Sequence, residues 1–318
     1  MCSSWGLVAS QCPQSRDFFE IRWGSGSALA ANTLTSNNIF NNKIMKNILL
    51  FNDISGLGNC SMSANLPILS KLGHYCMPIV TGSYSCQTGF DGFLVSKNDR
   101  VEEFAANLMR YRKPDAVYVG FCNDTATLKG VTDVVKGLVS GSDGAFALVD
   151  PILGDNGKLY PVFDGEYVAQ MKQTVSFADC ITPNLTEACL LADVDYAELT
   201  SHKGEPTFLA HCGKVFADFL AKVGCKSAVI TGIECGTLIG NVVLDGDKVS
   251  YVTNERVDVT YSGTGDVFSS VIAGLLLSGY KLLTATQVAA NFVEKAARAT
   301  ACSDRRFGIE FARVLDLL

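Results

Sequence analysis

The chain has 318 residues, 48% of them apolar and 18% charged, so a large core can be buried and wholesale disorder is excluded. With 26 Lys and Arg against 32 Asp and Glu the net charge is −6, which argues against nucleic-acid binding, because that needs a basic face. No uninterrupted apolar run reaches about 18 residues, so no membrane span is expected.

Residues 1–44 are small and polar, with neither a helical nor a strand period. They are expected to be a disordered or incidental extension ahead of one domain over 45–318. A transit peptide stays open, since only Asp17 and Glu20 are acidic there. A secretory signal fits poorly, for want of a charged start followed by an apolar core.

From Met45 onward, apolar runs of strand length alternate with longer amphipathic stretches. Strands are predicted at 47–52, 75–80, 115–120, 145–150, 179–182 and 226–231. Helices are predicted at 60–72, 100–112, 124–138, 164–176, 184–192 and 206–223. This alternation predicts an α/β domain with a mostly parallel central sheet covered on both faces. Leu244-Asp245-Gly246-Asp247 reads as a hairpin turn within 236–253. Two long helices follow, at 264–279 and 283–301. In such sheets ligands sit beyond the carboxyl ends of the strands. There the chain places Asn52-Asp53, Thr81-Gly82, Gly120, Asp150-Pro151 and Thr231-Gly232.

The twelve cysteines are scattered from Cys2 to Cys302 without a C-x-x-C pair, which reads as reduced thiols in a cytoplasmic protein. His74, His202 and His211 have no metal-ligand spacing with them.

Four motifs carry chemistry. Tyr261-Ser262-Gly263-Thr264-Gly265-Asp266 precedes an apolar helix. Gly263 and Gly265 let backbone N–H groups converge, and the helix adds its positive end, which makes an anion hole. Asp266 at its edge reads either as a base for an alcohol or as a helix cap. Thr182-Pro183-Asn184-Leu185-Thr186-Glu187 reads as a capping box, or as a magnesium–water network facing phosphates, and the two readings are compatible. Asp150 to Tyr160 holds two carboxylates in one loop, read as a polar turn or as a metal- and phosphate-facing segment. Asn52-Asp53-Ile54-Ser55-Gly56-Leu57-Gly58-Asn59-Cys60-Ser61 suggests a dinucleotide fingerprint, but Ser61 stands where its third glycine belongs. A Walker A loop is absent.

In this order the four motifs resemble the ribokinase-like superfamily, over about residues 46–312. Tyr84-Ser85-Cys86-Gln87-Thr88-Gly89-Phe90 resembles the substrate segment of pyridoxal kinases, although Cys86 and Gln87 depart from it. Asp53-Ile54-Ser55-Gly56-Leu57-Gly58 is similar to the start of the hydroxymethylpyrimidine kinases. The combination most resembles the bacterial-type pyridoxamine kinase group.

The resemblance implies a three-layer α/β/α domain with a C-terminal β-hairpin and helices. It implies transfer of the γ-phosphoryl group of ATP to the 5′-hydroxymethyl group of a B6 vitamer. Asp266 would take the proton at an ordinary aspartate pKa, with Gly263, Thr264 and Gly265 holding phosphoryl oxygens. Asp150 and Glu187 would serve Mg2+. Thr182, Asn184, Thr231 and Tyr160 would serve the nucleotide, with adenine against the hairpin and C-terminal helices. Asp53, Ser55 and Thr88 would bind the vitamer. Phe121 is either pocket wall or core, and Cys122 an inert buried thiol or an aldehyde contact. A homodimer is implied, and the need for a monovalent cation such as K+ is left open. The alternatives are a hydroxymethylpyrimidine (phosphate) kinase, a non-catalytic ligand-binding module, and a nicotinamide-dependent oxidoreductase. A sugar or nucleoside kinase is disfavoured, because residues 53–75 leave no room for an inserted β lid.

Overall fold

The computed structural model describes residues 44–141, 144–205, 207–302 and 304–318. Apart from Ile44, the expected extension lies outside the described residues.

Nine strands form one sheet in the order β11-β10-β9-β8-β5-β4-β1-β2-β3. They are β1 (Asn47–Ser55), β2 (Tyr75–Tyr84), β3 (Val95–Lys97), β4 (Ala116–Val119), β5 (Phe146–Val149), β8 (Cys180–Ile181), β9 (Ser227–Cys235), β10 (Leu238–Asp245) and β11 (Lys248–Glu255). Strands β2, β1, β4, β5, β8 and β9 run parallel. Antiparallel strands close both edges. Strand order reverses between β1 and β4, the kind of switch point where such sheets open a crevice. A separate two-stranded ribbon joins β6 (Gly154–Asp155) to β7 (Lys158–Leu159).

Alternating side chains feed two cores. Leu49, Phe51, Val117, Val119 and Val149 face one core, with α2 (Val101–Met109), α3 (Thr125–Val139), α4 (Gly165–Val175), α5 (Leu185–Ala192), α7 (Phe208–Val215) and α8 (Phe219–Val223). Ile48, Leu50, Tyr118 and Leu148 face the other, with α1 (Met62–Lys71), α9 (Thr264–Leu277) and α10 (Leu282–Ala299). The architecture is therefore the expected three-layer α/β/α fold. No helix of the described residues is long and apolar enough to cross a membrane.

Some expectations are corrected. The single helix read over 206–223 is two, α7 and α8, and a short α6 (Tyr196–Thr200) was not foreseen. Strand β9 runs to Cys235, so Thr231 lies inside it rather than at its end. Thr231 and Gly232 form a bulge there. Ile230 pairs with Val242 and Ile233 with Gly240, leaving two residues opposite Asn241, and Gly232 takes φ 75°. The turn read at Leu244–Asp247 does join β10 to β11, with Gly246 at φ 56°.

Candidate active site

Four carboxylates are buried at the carboxyl ends of the parallel strands and the start of α9: Asp53, Asp150, Glu187 and Asp266. None of the ion pairs among the described residues involves them. Burial is the largest cause of a raised pKa in each. Repulsion from a neighbouring carboxylate adds to it for Asp53, Asp150 and Glu187. Asp53 and Asp150 are pushed up to about 7, both with a contribution from the charge of Asp266. Asp266 is raised too, so the ordinary pKa expected of it is corrected.

Asp266 stands in the first turn of α9, behind Gly263, Thr264 and Gly265. Gly263 takes φ 81°, and a Cβ there would strike the Asn59 carbonyl. The N–H groups of this turn have no preceding helical carbonyl, so they face outward. Gly265 is exposed, and its missing Cβ faces Asp150 Oδ2 at 4.0 Å. The result is an open cradle between a helix N-terminus and a carboxylate.

Asp150 is braced from behind. Ser269 Oγ donates to its Oδ2 at 3.0 Å, and the hydroxyls of Ser269 and Thr182 are 2.8 Å apart. Thr182 is therefore a buried support, with its hydroxyl already engaged. Glu187 realises the capping box: its Oε2 accepts from Asn184 N at 2.7 Å, and Asn184 Oδ1 accepts from Glu187 N at 3.0 Å. Its Oε1 accepts from Leu153 N at 3.1 Å, so one oxygen holds the helix cap and the other pins the Asp150–Gly154 loop. Asn184 Nδ2 donates to the Gly154 carbonyl. Thr231 N donates to Pro183 O at 2.8 Å, which sets the bulge beside the cap. Tyr160 is partly exposed, and the charges of Glu187, Asp155, Asp150 and Asp266 add to burial in raising its pKa.

On the other flank, Ser55 Oγ donates to Asp53 Oδ2 at 3.4 Å. Thr88 is exposed, in a loop held by its neighbour. Gln87 Nε2 donates to Arg306 O at 3.0 Å, and Gln87 Oε1 accepts from Gly89 N. Phe90 meets Phe307 edge-on, and the Arg306 guanidinium lies 4.6 Å from the Phe90 ring centre. Asn59 N donates to Phe307 O, and Ile309 N to Ser262 O. Residues 305–309 thus clasp the 56–61 turn, the 86–90 loop and the entry to α9. Phe121 packs between Tyr84 and Phe163. Cys122 is fully buried with its thiol pKa raised, an inert state.

Three residues were given no role by the sequence reading. Asn52 and Asn65 are completely buried polar groups in the Asp266 network. Ser61 adopts φ 53°, and its N–H and hydroxyl hold down the pKa of Asp266 and Asp53 respectively against the effect of burial. One signal for Ser61 existed: it occupies the slot where a fingerprint glycine would supply that φ.

The sheet order, the outward-facing helix turn and the adjacent carboxylates define an α/β protein whose buried polar cluster lies at the carboxyl ends of its strands and the start of α9. Residues 57–309 match the family described as phosphomethylpyrimidine kinase. A crystal structure described as a phosphomethylpyrimidine kinase of Bacteroides thetaiotaomicron is 30% identical, with TM-score 0.78, covering 89% of this chain and 95% of that one. Another crystal form of it, 31% identical with TM-score 0.77, covering 86% and 96%, holds pyridoxal. Pyridoxal kinase of Dictyostelium discoideum is 30% identical over 170 residues, 50% of this chain and 52% of that protein. The chain thus spans about half the length of the first curated relatives it matches. The chain belongs to the phosphomethylpyrimidine kinase family, on the ribokinase-like fold.

Proposed function

We propose that the protein transfers the γ-phosphoryl group of ATP to the 5′-hydroxymethyl group of a B6 vitamer. The observation that carries this is the buried Asp266 in the same helical turn as the Gly263-Thr264-Gly265 anion hole. Pyridoxal in the Bacteroides relative supports the acceptor class. Asp266 accepts the hydroxyl proton as the acceptor oxygen attacks in line. Its raised pKa makes it the stronger base once ionised. The N–H groups of Thr264 and Gly265 meet charge on the transferring oxygens, each such donor being worth about 3–4 kcal/mol in the transition state.

Asp53, Ser55 and Thr88 orient the acceptor ring, while Asn184, Thr231 and Tyr160 line the nucleotide side, with Thr182 acting through Asp150. The oxygen donors Asp150 and Glu187 suit a hard cation such as Mg2+, and their lack of a cationic partner among the described residues fits one. No cluster of three metal-ligating residues occurs among the described residues, so these two would hold it chiefly through water and phosphate. Held there by Asp150 and Glu187, Mg2+ would supply neutralisation of the charge on the phosphates. The same proposal includes a homodimer, checked by light scattering, and a cytoplasmic location, supported by ten described cysteines that are all free.

A second reading, phosphorylation of hydroxymethylpyrimidine, is favoured by the family match itself. ADP release measured with pyridoxal, pyridoxine, pyridoxamine and hydroxymethylpyrimidine separates the two. Turnover of the pyrimidine alone overturns the first reading, and ATP-independent binding of all four with no ADP release overturns both.

A further inference from the structure

Asp266 is part of a closed hydrogen-bonded ring. Asn52 Nδ2 donates to Asp266 Oδ1 at 3.2 Å and to Asn65 Oδ1 at 2.7 Å. Asn65 Nδ2 donates to Ser270 Oγ at 2.8 Å, and Ser270 Oγ donates to the Asp266 main-chain carbonyl at 2.6 Å. The ring therefore begins and ends on the same residue, gripping its side chain and its backbone at once. All four members are buried.

The amide of Asn52 has one possible orientation. Its Oδ1 accepts from Asp53 N at 3.0 Å and from Phe121 N at 2.9 Å. Turning the amide over would set an NH2 group against two N–H donors. Both Nδ2 hydrogens must then point at Asn65 and Asp266. Gly120 leaves the space this requires: a Cβ there would lie 2.5 Å from Asn52 Nδ2. Asn52 thus ties the interior of β1, the exit of β4, α1 and α9 to one carboxylate oxygen. A buried amide in the middle of an apolar strand costs free energy unless every hydrogen bond is made, and here all four are.

We infer that Asn52 is a positioning residue for the base: it fixes the Asp266 carboxylate in a single orientation toward the acceptor hydroxyl, and its effect on the chemical step runs through that carboxylate. This rests on the reading of Asp266 as the base. It predicts a change in kcat without a change in substrate affinity, because Asn52, Asn65 and Ser270 are completely buried and only the carboxylate of Asp266 reaches the acceptor. It also predicts that the effect of removing Asn52 disappears once the carboxylate is gone.

The experiment is a double-mutant cycle on the full chain, using ATP and pyridoxal, with Asn52→Ala, Asp266→Asn and the pair. Asn52→Ala is expected to lower kcat 10- to 100-fold, with both KM values within about twofold. In the Asp266→Asn background the same change is expected to alter the residual rate less than threefold. A further 10-fold loss in that background, or a loss in Asn52→Ala carried by KM, overturns the positioning role. Turnover within 10-fold of wild type in Asp266→Asn alone overturns instead the reading of Asp266 as the base. If Asn52→Ala does not fold, Gly120→Ala displaces the same amide while keeping it, and is read by the same cycle.

Discussion

Gly263 and Asn59 are fitted to each other: the glycine sits at φ 81°, and a Cβ on it would overlap the Asn59 carbonyl oxygen. Asn59 in turn pairs with the 305–309 segment, through its N–H to Phe307 O and its bridge to Gly308. The turn after β1, the start of α9 and the C-terminal clasp therefore meet at one glycine. Gly263→Ala combines a left-handed backbone with a clash against main chain. It is expected to cost about 2–4 kcal/mol, read from the urea unfolding midpoint. A loss under about 1 kcal/mol would mean that the junction has slack.

Replacing the base is expected to separate chemistry from stability. Asp266→Asn should lower kcat about 1000-fold while leaving ATP affinity near wild type. Its melting temperature should be no lower than wild type, since a buried charge is removed. Turnover that persists within tenfold would reduce Asp266 to a helix-start residue.

The raised carboxylates set a pH dependence with a definite sign. Asp53 and Asp150 are pushed up to about 7, above the usual aspartate value near 4. Between those values the folded chain binds more protons than the unfolded chain. Stability should therefore be greatest near pH 4 on this account and should fall as pH rises through about 7. Asp150→Asn removes one such group. The variant should be the more stable protein at pH 8, by on the order of 2–4 kcal/mol, with no gain at pH 4. Thermal scans across that range decide it, and an equal gain at both ends would exclude titration of Asp150 as the cause.

The loop that presents Thr88 is expected to depend on Gln87. Gln87→Ala loses the bond to Arg306 O and the one from Gly89 N. Acceptor KM should rise roughly 5- to 10-fold, about 1 kcal/mol in total for two partly exposed bonds, with kcat little changed. Thr88→Val should raise acceptor KM without loosening the loop, as judged by amide exchange at 86–90. A Thr88→Val enzyme with unchanged KM would remove Thr88 from the acceptor site.

The strand–helix alternation was legible because β1, β4 and β5 are covered on both faces, and so read as apolar runs. Elements such as β3, β6 and β7, of two or three residues, are too short to display a period. The break between α7 and α8 carries no Gly or Pro, and nothing local announces it. In the site, glycines and carboxylates gathered near one helix start could be read from type and order. The ring around Asp266 could not, because Asn52 and Asp266 are 214 residues apart and an asparagine in an apolar run has no pattern of its own. Thr182 reads as a strand-end hydroxyl, yet its partner Ser269 lies 87 residues further on. Such pairings come from tertiary packing alone.

Helix α9 is buried without interruption from Asp266 to Leu275, enclosed by neighbours on every side. A segment so enclosed cannot rotate or slide without disrupting the interior around it. With Asp266 as the proposed base, its carboxylate is thus the stationary member of the encounter, and both small molecules would be carried to it. Changes in substrate choice are free to accumulate in the surface segments at 86–90 and 305–309, while the anvil beneath them stays as it is.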